Sequence, residues 1–239
     1  MSVEIQTGPA GVAYVRMLDV AGHNGLSEAF VSRLLAALGR VGADPNVRVI
    51  VLAGTERWFC SGATRQMLHD VVAHRIAPAE LTLAQRVVDL PVPVIAAARG
   101  DTLGGGLALM LACDLRVVAT TSRHCANFMT LGITPGMGTT ALLRDALGPA
   151  LADELQYTGK TVRGDALPPG SVNAVVDPAA VEAAAADLAW QLAAHPRDNL
   201  RLLKRTLTLP RRRALLEANT LESLMHESSL TRFDEDNLP

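Results

Sequence analysis

Two short runs about forty residues apart carry the chemistry of this chain: Phe59-Cys60-Ser61-Gly62-Ala63-Thr64 and Gly100-Asp101-Thr102-Leu103-Gly104-Gly105-Gly106-Leu107. Each follows a strand-like apolar run, Val47 to Ala53 and Pro93 to Ala98, and each precedes a helix-like one. Each therefore presents unpaired backbone N–H groups at a helix start. If the N–H of Ala63 and that of Gly105 meet at one point, they form an oxyanion hole for a carbonyl oxygen that becomes negative, as a thioester oxygen does on enolate formation. Losing one such donor typically costs about 2.7–4 kcal/mol of transition-state stabilisation.

The elements that must position these amides are read from periodicity and turn chemistry. Two opening strands are expected over 3–6 and 11–17, joined by the turn Gly8-Pro9-Ala10-Gly11. A helix then runs from Ser27, whose hydroxyl caps it, through Phe30, Leu34, Leu35 and Leu38 at helical spacing. Strands and helices alternate afterwards: strand 47–53, helices within 64–90, strand 94–98, helix 104–112 and strand 115–119. This alternation favours a layered α/β fold. From Thr139 onward the pattern is mainly helical, with helices expected over 140–147, 150–157, 178–194, 197–206 and 211–232. These late helices have no alternating strands to cover, so they should pack on the core or on neighbouring subunits.

With 239 residues the chain is long enough to bury a substantial core, and no linker-like stretch interrupts it. Its formal charge of −2 gives no sign of a nucleic-acid or anionic-membrane surface. The cluster Arg211-Arg212-Arg213 most simply solvates a helix start, although it could meet an acidic carrier protein. Three cysteines, Cys60, Cys113 and Cys125, with no secretory apolar region after Met1, favour a reducing cytoplasm and read as small core residues. The most apolar stretch, 92–119, contains Arg99, Asp101, Asp114 and Arg116, so it does not offer the roughly 20 clean apolar residues of a membrane span.

Several motifs fail on inspection. Gly159-Lys160-Thr161 resembles the end of a phosphate-binding loop, but the first glycine of that motif would fall on Glu154. Glycines 104–106 do not match the dinucleotide fingerprint. There is no G-x-S-x-G elbow. His69, His74 and His226 have no zinc-ligand spacing, so no metal is expected.

The two runs, followed by Gly132-Ile133-Thr134-Pro135-Gly136-Met137-Gly138, resemble the crotonase (enoyl-CoA hydratase/isomerase) superfamily from about Val3 to the C-terminus. The resemblance implies a spiral of ββα units forming an α/β core over 1–178. It also implies a helical region over 179–239 that packs on the core and on neighbouring subunits, as a homotrimer or hexamer. Hydratases of the superfamily carry a glutamate two residues past the glycine run and another seven before the proline of the Pro-Gly loop. Here Ala108 and Phe128 stand there, so no acid/base pair can hold and deprotonate water. Phe128 should also dry that wall of the pocket.

Ala126-Asn127-Phe128-Met129, the loop 134–140 and the tail Leu224-Met225-His226-Glu227 are similar to a narrower branch, the crotonase-like decarboxylases of polyketide β-branching. That resemblance implies loss of carbon dioxide from a 3-methylglutaconyl thioester on an acyl carrier protein, with no cofactor beyond the phosphopantetheine or coenzyme A that carries the substrate. The departing carboxylate generates the carbanion, so no base is needed. His226 would donate the final proton. Glu222, one helical turn earlier, could orient or charge its ring. Related enzymes hold the carboxylate with a lysine after the first oxyanion motif, yet 65–90 contains none. Arg75, then His74, are the candidates in its place, with His69 beside them. Met67, Asn127 and Phe128 are expected at the substrate. His23-Asn24 falls where the superfamily often recognises the nucleotide or pantetheine end, although an Asn-Gly turn explains it equally. Asp101 could cap the glycine-run helix. A double-bond isomerase and a catalytically silent acyl-pantetheine-binding subunit remain the alternatives.

Overall fold

A computed structural model describes residues 2–73, 75 and 82–230. β1 (Val3–Thr7) and β2 (Val12–Met17) form an antiparallel hairpin. β3 (Val49–Ala53), β5 (Val94–Ala98), β7 (Leu115–Ala119) and β10 (Ala174–Val176) extend it in parallel to a six-stranded sheet of order β1-β2-β3-β5-β7-β10. Every residue of β3 and β5 is buried, as expected of parallel strands covered on both faces. Alternation along them is clean. Ile50, Leu52, Val94 and Ala96 face the main core, whereas Val49, Val51, Ile95 and Ala97 face a second apolar layer.

The main core is closed by α1 (Glu28–Ala43), α3 (Leu83–Val88) and α4 (Gly105–Ala112), the last buried along its whole length. The Ser27 hydroxyl accepts from the Phe30 N–H at 3.3 Å and starts α1. The opposite layer is α7 (Val181–Ala193), whose Val181, Ala185, Ala189 and Ala193 recur every four residues and let the helix lie close on the sheet. The helices after 178 thus begin by covering the sheet itself. Buried Lys204 of α8 (Arg197–Leu207) ties that helix to the core, donating to Asp114 at 2.8 Å and to the Val92 carbonyl at 3.0 Å. Among the described residues no helix is long and apolar enough to cross a membrane.

A second sheet, of order β4-β6-β8-β9, is not visible in the sequence pattern. Its strands β4 (Trp58–Cys60), β6 (Asp101–Leu103), β8 (Arg123–Cys125) and β9 (Thr161–Arg163) have three residues each. Three residues are too few to show a period, and β10 escapes for the same reason. α2 (Arg65–Val72) follows β4, and α5 (Thr139–Leu147), α6 (Pro149–Thr158) and α9 (Leu209–Leu230) complete the described chain. α9 packs on α5, and Leu215 occupies the space a side chain at Gly138 would need.

Candidate active site

The short sheet brings the two glycine-containing turns together. β4 and β6 pair in parallel, Trp58 with Asp101 and Cys60 with Thr102, so the chain leaves them side by side into α2 and α4. A Cβ at Gly62 would lie 2.6 Å from the Leu103 carbonyl oxygen and 3.3 Å from the Gly105 nitrogen. One at Gly106 would lie 2.0 Å from the Cys60 carbonyl oxygen. Only glycine permits this approach, and Gly62 also has φ +83°. Neither the Ala63 N–H nor the Gly105 N–H donates to another described residue, and both residues line one cavity of about 350 Å³. Two free amides at helix starts in an apolar pocket are suited to receive an oxygen atom that becomes negative. Cys60 beside them is not a nucleophile, because burial pushes its thiol up to about 12.

The cavity walls are mostly hydrocarbon. α2 contributes Met67, Leu68 and Val71, α3 contributes Leu83, and the segment from β8 to α5 contributes Phe128, Ile133 and Met137. α1 presents Glu28, Val31, Ser32 and Leu35, one helical stripe at i, i+3, i+4 and i+7. The spacing of that stripe was legible, but it is neighbour to the buried stripe of Phe30, Leu34 and Leu38, which draws attention first. Ala108 is completely buried in α4, and Phe128 is 8% exposed on the wall. The ionisable side chains among the described lining residues are Glu28 and His226.

His226 enters from α9 and is 4% exposed. Its Nε2 lies 3.0 Å from the Thr134 carbonyl oxygen, which can only accept, so Nε2 carries hydrogen. Nδ1 is buried with no partner in hydrogen-bond geometry. Burial pushes the imidazole below its ordinary pKa, against the pull of the Thr134 and Glu222 backbone carbonyls, which favour the proton. Burial thus favours the neutral ring in the free protein. Gly136 makes room for it, since a Cβ there would lie 3.1 Å from Cε1. Met137 follows with φ +63°, a left-handed backbone at the wall of the site that its residue type does not announce.

Glu222 does not act on the ring through its carboxylate. That group is 2% exposed and accepts from the Gly138 N–H at 2.7 Å, the Thr140 N–H at 2.9 Å and the Thr140 hydroxyl at 2.7 Å. It caps α5, whose N-cap residue Gly138 has no side chain to do so. Burial raises its pKa while these three donors lower it. The cap fixes α9 to the loop that holds Thr134 and Gly136, one turn before His226.

Of the remaining expected residues, Met67 and Phe128 line the cavity; Arg75, His69 and Asn127 do not. Arg75 is exposed, with its guanidinium 2.6 Å from Asp70 and also against the His69 ring. His74 lies outside the described residues. Asn24 is a buried tether, donating to the carbonyls of Met17, Trp58 and Phe59 at 3.1 Å each and accepting from the Asp19 N–H. This favours the turn reading over ligand recognition, and His23 is exposed and stacks on Trp58. Asp101 does not cap α4; it binds the guanidinium and the N–H of Arg123.

The family model for enoyl-CoA hydratase/isomerase matches residues 7–236. The chain belongs to the enoyl-CoA hydratase/isomerase family. Within this family it is 32% identical over 228 residues to the bacillaene synthase decarboxylase PksI of Bacillus subtilis, covering 95% of this chain and 92% of that protein. The crystal structure of the decarboxylase domain ECH2 of CurF from Lyngbya majuscula superposes with a TM-score of 0.91 at 30% identity, covering 99% of this chain and 97% of that one. A structure from a dehydratase/decarboxylase enzyme couple of polyketide β-branching also gives 0.91 at 31% identity, over 95% and 93% of the two chains. The mouse mitochondrial enoyl-CoA hydratase domain-containing protein 2 is 38% identical, but over 69% of this chain and 57% of its own length. This member of the enoyl-CoA hydratase/isomerase family thus resembles decarboxylases over its whole length.

Proposed function

We propose that this chain is a decarboxylase, a lyase that removes carbon dioxide from a 3-methylglutaconyl thioester on an acyl carrier protein during polyketide β-branching. One observation carries the reading: the cavity joins two free amides to one imidazole, and the chain has Ala108 and, on the cavity wall, Phe128 where water-adding relatives need carboxylates. The thioester oxygen sits between the Ala63 and Gly105 N–H groups, and the bond to the carboxyl carbon breaks as electrons move to that oxygen. His226 supplies the proton that quenches the dienolate. The apolar walls exclude water and strengthen the amide contacts. No described lysine or arginine lines the cavity and Arg75 is paired with Asp70, so the carboxylate is taken to enter toward His226. No cofactor takes part beyond the pantetheine arm of the carrier, and the chain works in the cytoplasm as a homotrimer or hexamer.

The test is incubation with a 3-methylglutaconyl pantetheine thioester followed by mass measurement. Loss of one carbon dioxide is expected. An unchanged mass with a shifted double bond would replace this reading with an isomerase. His226→Gln should lower kcat about 10²–10⁴-fold with little change in KM; unchanged kcat would remove His226 from the mechanism.

A further inference from the structure

Among the described residues no charged side chain pairs with His226. On α9, Glu222 turns its carboxylate to α5, and Glu227 is exposed. The loop before α5 offers the Thr134 carbonyl and Gly136, while α2 and α3 contribute hydrocarbon. α1 brings one carboxylate to the cavity, the exposed Glu28, and no described lysine or arginine lines it. Among the described residues a protonated ring here has carbonyl dipoles around it but no counter-charge, and its Nδ1 has no partner in hydrogen-bond geometry.

A carboxylated acyl chain supplies the missing charge. On the decarboxylase reading, on which this inference rests, the bond from C4 to the carboxyl carbon breaks. Its electron pair passes through C3 and C2 to the thioester oxygen, and carbon dioxide leaves neutral. A proton then forms the new C–H bond at C2 or C4. Each turnover consumes one proton, and the product has no charge to keep the ring protonated.

We propose that the substrate charges His226: the ring takes a proton from solution as the acyl carboxylate enters the cavity, so that binding a carboxylated thioester is coupled to proton uptake. An uncharged thioester of the same shape leaves the ring neutral. The enzyme therefore arms its donor only for a molecule that can lose carbon dioxide. It also disarms the donor once the carboxylate is gone, which favours product release.

The probes are 3-methylglutaryl-pantetheine, which is saturated and cannot form the dienolate, and isovaleryl-pantetheine, which lacks the carboxylate. Calorimetric titration near pH 7.5 in buffers of different ionisation enthalpy counts the protons. Roughly one proton taken up with the first probe and about none with the second is expected. Equal uptake with both, or none with either, overturns the proposal. His226→Gln should abolish the uptake while the carboxylated probe still binds, and uptake that persists in the variant assigns it elsewhere and overturns the proposal. A readout needing no variant is the Kd of the wild-type protein. For the carboxylated probe Kd should rise by up to about tenfold per pH unit above neutrality, and for isovaleryl-pantetheine it should stay flat; parallel profiles overturn the proposal. Release of carbon dioxide from 3-methylglutaconyl thioester without uptake on probe binding sinks this inference and leaves the decarboxylase standing. Uptake without any such release does the reverse.

Discussion

The two ends of the cavity are built on opposite principles. One end is backbone: two amides, fixed by adjacent strands and by glycines whose missing side chains let peptide planes touch. The other end is a side chain, His226, which meets a loop carbonyl and lies one turn from a carboxylate that caps another helix. Backbone geometry of the first kind depends on what cannot be added. Side-chain geometry of the second kind depends on what must be present. Substitutions should therefore fail by steric conflict at one end and by loss of a partner at the other.

The largest effect is expected from Gly106→Ala. Its Cβ would have to displace the Cys60 carbonyl, 2.0 Å away, and backbone cannot yield as a flexible side chain can. More than about 3 kcal/mol of stability should be lost, read by chemical denaturation. A variant as stable as the wild type would show that the two turns are not locked together.

Acid should come next, and it strikes the same end. Under the short sheet, buried His124 lies with Nδ1 2.8 Å from the Thr102 hydroxyl and Nε2 3.0 Å from the Ser122 hydroxyl. Ser122 already donates to the Ala119 carbonyl, so the ring donates at Nε2 and accepts at Nδ1. Burial holds its pKa down at about 4, below the unfolded value of 6.5. Neutral His124 thus contributes stability that is fully present above pH 6.5 and lost as pH falls to 4, about 3 kcal/mol in all. In His124→Asn that part of the acid slope should disappear; an unchanged slope would place the acid sensitivity elsewhere.

The smallest of the three is Glu222→Gln. The amide keeps one acceptor oxygen for three donors, so stability should drop about 1–2 kcal/mol. At the same time kcat should fall several-fold, with KM nearly unchanged and the shape of the pH–rate profile retained. If stability falls while kcat does not, the cap holds α5 without positioning His226.

The sequence exposed one end more fully than the other. The glycine-rich runs announce free amides because nothing else explains their composition between an apolar strand and an apolar helix. The Ser27 cap and the alternation of β3, β5 and β7 were legible for the same local reasons. The strands that align the amides were not, because a three-residue strand is specified by its neighbours in space. His226 was singled out through its Met-His-Glu setting, but the destination of Glu222 was hidden. Nothing in helical spacing says that a carboxylate one turn from a histidine will be claimed by amides 82 and 84 positions earlier. Likewise Arg75 has the right chemistry to hold a carboxylate, and the carboxylate it meets is its neighbour Asp70.

That cap also dictates an order of assembly. The amide turns and the loop before α5 leave the ribosome well ahead of the carboxylate that completes α5, which comes 84 positions after Gly138. A nascent chain can fold its amide-bearing half early, yet it has neither the cap nor His226 until α9 emerges. Partial chains of this protein would then present the two amides without the imidazole.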